Sequence, residues 1–123
     1  MSESHQVRVV TTIGVVSDAL GLTPRAIRHY EEHGLVALPR DGRNRRLFDT
    51  RTRAVLQFVA HLRRADVPLA EIRRLLRERP AGHWIEAGRA SLSRRREEIS
   101  RQLVELEAAE GWFDGAPDLS GRR

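Results

Sequence analysis

Residues 13–36 read IGVVSDALGLTPRAIRHYEEHGLV and hold two short helical patterns separated by a turn. The first pattern has apolar residues at helical spacing, namely Val15, Val16, Ala19 and Leu20. Thr23 and Pro24 predict the start of a second helix, because threonine caps a helix N-terminus and proline fits the first helical position. Gly34 predicts its end, since glycine readily adopts the left-handed conformation of a helix stop. Two short helices joined by a glycine-containing turn are typical of a helix-turn-helix.

The next segment predicts a β-hairpin with a basic tip, which we call the wing. Residues 35–38 are apolar and strand-like, and Asp41-Gly42 is a turn signal. Three arginines lie beside this turn, at Arg43, Arg45 and Arg46. Side chains alternate along a strand, so Arg45 and Arg46 should point in different directions. We therefore expect one of them to form an ion pair within the protein.

The rest of the chain predicts three further helices. Asp49 caps a helix over about residues 50–65, and a second helix spans about 69–78. A long helix follows from about residue 83, and its apolar residues recur every seven positions. This apolar stripe, which we call the seam, comprises Ile85, Leu92, Ile99, Leu106 and Phe113, with Leu103 beside it. No other predicted element is left to cover the seam, so we expect it to pair with the seam of a second copy.

The charge distribution favours a nucleic-acid-binding role for the first part of the chain. All 22 basic residues are arginine, and the formal charge is +5. Residues 1–79 hold 15 arginines against 9 acidic residues, whereas residues 80–123 hold 7 against 8. A basic head on a nearly neutral tail is the pattern expected of a protein that binds nucleic acid.

The residue types that are missing exclude several kinds of chemistry. Without cysteine there is no disulfide, thiolate metal site or cysteine nucleophile, and without lysine there is no Schiff base. His83 and Glu86 are too few for a metal site. No nucleophile–base pair or phosphate loop is visible, so we expect no catalytic residue, no cofactor and no enzyme. No long apolar run or signal-peptide core occurs, and we expect a cytoplasmic protein with no membrane partner.

The order of helix-turn-helix, basic wing, helix pair and lone long helix resembles the MerR family of bacterial transcription regulators. The quoted residues 13–36, then RDGRNRRLF, then VPLAEIRRLL carry the resemblance. It implies a homodimer that binds a near-palindromic operator in double-stranded DNA, often between the two promoter elements, and that bends and untwists the DNA for RNA polymerase. The family's usual glycine before the fourth helix is replaced here by Asp66, and its usual wing motif is replaced by Asn44-Arg45-Arg46.

The resemblance and the pattern together give a mostly α fold in four parts. We expect a flexible N-terminal arm over residues 1–11, with a short strand following at Thr12–Ile13. A winged helix-turn-helix DNA-binding domain is expected over 12–79. A dimerisation helix forming an antiparallel coiled coil is expected over 83–113, and a disordered tail over 114–123.

The residues expected to contact DNA are Thr23, Arg25, Arg28, His29, Tyr30, Arg43, Arg45, Arg46 and Arg63. Arginines at the start of a recognition helix can read guanine in the major groove, and wing arginines suit phosphate or the minor groove. The simpler alternative for these arginines is a solvated surface. Tyr30 either bonds a phosphate or packs under the wing. Arg63 is also explained by the helix dipole, which favours positive charge at a helix C-terminus.

The two tryptophans fall near the two ends of the long helix. In an antiparallel pair centred on Ile99, Trp84 would approach Trp112 and Phe113 of the second copy. These residues would then either close the ends of the dimer or line a pocket for a small-molecule effector. The expected function is a homodimeric, sequence-specific transcription regulator; the alternative is an excisionase-like architectural factor that bends DNA without a direct transcriptional role.

Overall fold

The computed structural model describes residues 12–78 and 82–121. Within these ranges the chain forms five α-helices and no strand: α1 (Ile13–Leu20), α2 (Pro24–Glu32), α3 (Thr50–Arg64), α4 (Leu69–Glu78) and α5 (Trp84–Asp114). The mostly α prediction with a long C-terminal helix is confirmed. The predicted arm over residues 1–11 lies outside the described residues. No helix in the described part of the chain is both long and apolar enough to cross a membrane.

The helix-turn-helix is built by two threonine caps and one glycine. The hydroxyl of Thr12 accepts from the Val15 amide at 3.3 Å, and that of Thr23 accepts from the Ala26 amide at 3.0 Å. Between the helices, Gly21 takes a left-handed φ of 68°. The strand predicted at Thr12–Ile13 is wrong, because Thr12 is the N-cap and Ile13 is already helical. Its β-branched residues serve as helix cap and start instead.

The predicted hairpin is also wrong in its detail. The wing forms only one isolated antiparallel bridge, between Arg40 and Arg46. The apolar residues before it do not alternate between two faces, because Leu35, Val36 and Leu38 are all buried in the core. A segment that buries consecutive side chains cannot present one face of a regular hairpin to solvent. The wing is therefore a loop closed by one bridge.

Helices α3 and α4 complete the head, by which we mean residues 12–78. The carboxylate of Asp49 caps α3 by accepting from the Thr52 amide at 2.8 Å. The turn between α3 and α4 passes through Asp66, whose φ of 63° is left-handed. Glycine adopts this conformation most easily, and aspartate is among the residues that tolerate it. The head core is formed mainly by Val16, Ile27, Phe48, Leu56, Val59, Leu62 and Ile72, each at most 2% exposed.

Helix α5 has 31 residues, and its first part packs on α3 and α4. Its buried residues, Ala87, Gly88 and Ser91, all lie in this first part. A helix of this length extends about 46 Å, so most of it projects beyond the head. All of its residues from Arg96 onward are exposed in the single chain.

Candidate nucleic-acid interface

The second helix of the helix-turn-helix, α2, has one buried side and one exposed basic side. Ile27 is fully buried against the head, whereas Arg25, Arg28 and His29 are exposed. These three residues are therefore accessible, as contact with DNA would require. Among the described residues, no acidic side chain forms an ion pair with Arg25 or Arg28. Both guanidinium groups are therefore open to an external anion.

Tyr30 lies inside the head rather than on its surface. The residue is only 8% exposed and belongs to the core cluster. It nevertheless lines a cleft of about 340 Å³ together with Arg25 and Arg63. In this cleft Arg63 is held by a hydrogen bond from Nη1 to the Val67 carbonyl at 2.8 Å. The cleft brings together predicted DNA contacts from α2 and from the end of α3, including Thr23 and His29.

Asp41 organises the turn of the wing. Its Oδ1 accepts from the amides of Arg43 at 2.8 Å and Arg45 at 2.9 Å, and its Oδ2 accepts from Arg45 Nε at 2.8 Å. The amide of Arg45 lowers the pKa of Asp41 below its ordinary value, desolvation opposes this, and the Arg43 amide adds to the lowering. Asp41 therefore stays charged and shapes the turn at neutral pH. Asn44 adopts a left-handed φ of 62° within the turn.

The wing arginines differ in what they already bind. Arg46 Nε reaches Glu31 at 3.2 Å, and Arg45 Nε pairs with Asp41 at 2.8 Å. We expected one of these two arginines to pair internally, and both do. The Arg45 side chain is still 56% exposed, whereas that of Arg46 is 26% exposed. Within the described ranges Arg43 is exposed and its guanidinium forms no ion pair.

Two arginines that the sequence analysis did not assign hold the helix-turn-helix to the rest of the head. Arg64 Nη2 donates to the carbonyl of Gly21 at 3.1 Å, and Arg73 Nε donates to the carbonyl of His33 at 3.0 Å. These carbonyls lie at the ends of α1 and α2, where backbone acceptors lack helical partners. The contacts span 43 and 40 residues, so no local sequence signal would have revealed them.

The described residues contain no group of three or more side chains suited to holding a metal ion. On α2, the rings of His29 and His33 lie with their centroids 4.1 Å apart. Two imidazoles one helical turn apart are fewer ligands than a structural or catalytic zinc site uses. The head therefore offers cationic side chains that suit an anionic partner.

The seam on α5 is bare in the single chain. Its exposed fractions are 48% for Ile85, 39% for Leu92, 48% for Ile99, 51% for Leu103, 57% for Leu106 and 72% for Phe113. Single exposed apolar residues are common on protein surfaces, but a continuous stripe along a helix marks an interaction surface. No other element within residues 12–78 and 82–121 covers the seam.

The two tryptophans occupy separate sites. Trp84 packs edge-on against Phe58 of α3 with ring centroids 4.8 Å apart. Trp112 packs edge-on against Phe113 with centroids 4.9 Å apart, and it is 55% exposed. Beside the first pair runs an apolar groove of about 400 Å³ between α3 and α5, lined in part by Ile85 and Leu92. One chain therefore does not bring Trp84 and Trp112 together.

Two family models match the chain. The model described as the MerR HTH family regulatory protein matches residues 11–79, and the model described as MerR, DNA binding matches residues 53–111. The HTH-type transcriptional regulator ZntR homolog of Haemophilus influenzae is 32% identical over 96 residues, which are 76% of this chain and 71% of that protein. The HTH-type transcriptional regulator TnrA of Bacillus subtilis is 34% identical over 76 residues, which are 62% of this chain and 69% of that protein.

Solved structures share the fold. The transcription regulator PbrR691 from Ralstonia metallidurans CH34, in complex with lead(II), has a TM-score of 0.62 at 30% identity and covers 85% of this chain and 84% of its own. HiNmlR, described as a MerR family regulator lacking the sensor domain and bound to promoter DNA, has a TM-score of 0.63. It is 20% identical and covers 82% of this chain and 78% of its own, so that likeness concerns the fold alone.

Proposed function

This chain belongs to the MerR family of helix-turn-helix transcription regulators, and we propose that it binds a near-palindromic operator as a homodimer and bends the DNA. Its family places it among DNA-binding regulators, not enzymes. The observation that carries the proposal is the pairing of two features in one chain. Among the described residues, Arg25 and Arg28 are exposed and have no ion-pair partner, and no other element covers the apolar seam of α5.

The head supplies contacts of two kinds. Arg25 and Arg28, near the start of α2, are the residues we assign to base edges in the major groove, where a recognition helix reads sequence. Arg43 on the wing and Arg63 beside the Tyr30 cleft are assigned to phosphates. Phosphate contacts fix the register of the protein on DNA, and base contacts specify the sequence.

The homodimer follows from the seam. An antiparallel pair centred on Ile99 would set Ile85 beside Phe113 of the partner subunit and Leu92 beside Leu106 of the partner subunit. The groove next to Trp84 is mostly apolar and shares Ile85 and Leu92 with the seam, so the partner's aromatic end is suited to fill it. We therefore assign Trp84 and Trp112 to closing the dimer ends rather than to binding a small-molecule effector.

The family resemblance and the proposed two-fold arrangement support DNA bending. Two heads fixed to one pair of α5 helices would present their α2 helices at a set separation. DNA whose half-sites do not match this separation must bend or untwist, and the cost depends on its sequence. Such distortion would change how RNA polymerase meets the promoter, which makes polymerase a candidate partner.

The test is selection of DNA by the purified full-length protein from a pool of random duplexes, followed by footprinting of the enriched sequence. We expect an inverted repeat whose two halves are both protected, and circular-permutation mobility that reports a bend. Affinity should fall steeply as salt rises, because phosphate neutralisation releases counterions.

Enrichment of a single asymmetric site would overturn the homodimer on DNA. Salt-sensitive binding without any enriched sequence would instead favour the architectural role. A straight operator within a symmetric footprint would remove the bending step and leave sequence-specific binding intact.

A further inference from the structure

We infer that Arg95 of α5 is a positioning residue that fixes the angle between each head and α5, and so sets the distance between the two recognition helices. The inference rests on the proposed homodimer. The covalent link between α4 and α5 is short and includes Gly82, whose φ of 92° is left-handed. The described contacts that can set the angle of α5 are those that pack it against the head.

The first of these packing contacts is an apolar pivot at Gly88. A Cβ atom placed on this glycine would lie 2.5 Å from Cε2 of Phe58 in α3. Helix α5 therefore approaches α3 as closely as a residue without a side chain permits. The neighbouring Ala87, only 7% exposed, belongs to the core cluster of the head. A single point of close approach fixes distance but still allows rotation about that point.

One helical turn further along, Ser91 joins α5 to the start of α4. Its hydroxyl donates to Oε2 of Glu71 at 2.6 Å, and Arg94 Nη2 reaches the same oxygen at 3.3 Å. Ser91 is only 2% exposed, so little water competes for this hydrogen bond. Glu71 lies in the first turn of α4, where negative charge suits the helix dipole. This contact is a second fixed point.

Arg95 provides the third contact, about one helical turn beyond Ser91 in α5. Its Nε donates to the carbonyl of Ala65, the C-cap of α3, at 2.8 Å. Its two Nη atoms pair with Asp66 at 3.7 Å and with Glu98 at 3.3 Å. Only 22% of the side chain is exposed, which is low for an arginine on a projecting helix. Backbone carbonyls at a helix C-terminus carry partial negative charge, so the guanidinium is well placed there.

Gly88, Ser91 and Arg95 thus form one face of α5, which we call the anchor face, and it contacts α3, α4 and the turn between them. Three separate contacts define an orientation where one would not. A small change in the angle between the head and α5 would produce a larger displacement at the recognition helix, because that helix lies some distance from the anchor face. A tilt of about 10° acting over about 20 Å would move a recognition helix by about 3.5 Å, close to the rise of one base pair.

The experiment uses the absence of cysteine from the chain. One cysteine introduced at the exposed Asp18 of α1 (Asp18→Cys) carries a spin label, so a homodimer holds one label on each head. Pulsed dipolar spectroscopy then gives a single distance distribution between the heads. Arg95→Ala is compared with Arg96→Ala, which removes the same charge from an exposed neighbour that forms no ion pair with any described residue.

We expect the labelled parent and Arg96→Ala to share one narrow distance, whereas Arg95→Ala gives a broader distribution displaced by several ångströms. Arg95→Lys, which keeps the charge but loses the Nε donor, should also broaden it and guards against misfolding of the alanine variant. On selected operators whose half-site spacing is changed by one base pair, Arg95→Ala should lose most of the parent's spacing preference without losing affinity uniformly.

The two proposals fail in different ways. A dimeric Arg95→Ala or Arg95→Lys with the parent's distance and spacing preference would overturn the positioning role and leave the homodimer standing. A parent protein that sediments as a monomer would overturn the homodimer and the positioning role together.

Discussion

Glu31 of the recognition helix and Arg46 of the wing form an ion pair, with 3.2 Å between Oε1 and Nε. Arg40 reaches the other oxygen of the same carboxylate, also at 3.2 Å. One acidic side chain therefore holds the wing against α2 and partly neutralises two wing arginines. The surface offered to DNA carries less free charge than the residue count of the wing indicates.

Replacing Glu31 should weaken the preference for operator over random DNA more than it lowers the stability of the fold. In Glu31→Ala we expect a loss of about 1 kcal/mol in unfolding free energy, because ion pairs that stay partly accessible to solvent contribute little. Arg40 and Arg46 would become free to bind phosphates, so the salt dependence should steepen and the operator should be preferred less over random duplex. Fluorescence anisotropy across a salt series measures the salt dependence of binding and the affinity ratio between operator and random duplex. Glu32→Ala, at an exposed neighbour, is the control; equal slopes for the two variants would contradict the prediction.

Arg28→Ala should remove sequence preference while leaving the dimer intact. A bidentate arginine–guanine contact is worth about 1–3 kcal/mol of discrimination, which corresponds to roughly 5-fold to 150-fold in relative affinity. The measurement is competition between operator and random duplex, with sedimentation as a check on assembly. Arg101→Ala removes an exposed arginine from α5 and should behave as the parent. Unchanged operator preference in Arg28→Ala would exclude this residue from base reading.

Ile99→Asp should yield monomers, because the proposed two-fold axis would bring two carboxylates together at the centre of an apolar seam. Like charges that must be desolvated at an interface strongly oppose association. Sedimentation velocity at micromolar concentration reports the change. Ser93→Asp introduces the same charge on an exposed position away from the seam and should remain dimeric. If Ile99→Asp is dimeric as well, the seam has been placed on the wrong face.

Replacing the two helical glycines of α5 with alanine should change the free energy of unfolding in opposite directions. Alanine gains up to about 1 kcal/mol of helix propensity over glycine at either site. At Gly88 the new Cβ would meet Phe58 at 2.5 Å, whereas at Gly111 nothing lies within 4 Å. Overpacking costs about 1–3 kcal/mol, so Gly88→Ala should be less stable than Gly111→Ala by about that amount. Thermal or urea unfolding of both variants decides the matter, and equal stabilisation would show that Phe58 moves aside freely.

Ser91→Ala should destabilise the protein in a pH-dependent way. The Ser91 hydroxyl holds the pKa of Glu71 below its ordinary value, burial opposes this, and Arg94 and Arg74 lower it further. A carboxyl whose pKa is lowered by folding stabilises the folded chain above its ordinary pKa, and this stability is lost as the pH falls through the lowered value. We expect a loss of about 1.5 kcal/mol near neutral pH, the lower end for a hydrogen bond to a charged group.

The measurement for Ser91→Ala is urea unfolding at several pH values. The difference in unfolding free energy between parent and variant should shrink as the pH falls below the ordinary carboxyl range. A difference that stays constant with pH would mean that Ser91 acts through packing alone.

The helices were largely predictable from the sequence because their signals are local. Thr23 with Pro24, Asp49 and the apolar periodicity of α3 and α4 each lie within a few residues of the boundary they set. The recognition-helix arginines were predictable for the same reason, since burial of Ile27 turns them outward. Thr12–Ile13 was misassigned because a β-branched pair favours a strand only when no cap geometry competes for it.

The interactions that position the candidate interface were not predictable, because they join residues far apart in sequence. Arg95 bonds the carbonyl of Ala65, which lies 30 residues earlier in the chain. The close approach of Gly88 to Phe58 likewise joins two helices that are separate in sequence. Arg45 and Arg46 both pair internally because Asp41 and Glu31 lie within reach of them in space. The alternation of side chains along a strand gives no information about the positions of these two acidic residues.

The bare seam of α5 has a consequence for how the protein responds to its own abundance. If apolar residues from Ile85 to Phe113 are covered only on dimerisation, stability must rise with protein concentration by mass action. Well below the dimer dissociation constant, the number of binding-competent molecules would grow with the square of the number of chains. A modest increase in synthesis would then produce a disproportionate rise in operator occupancy, and dilution by cell growth would lower it equally sharply.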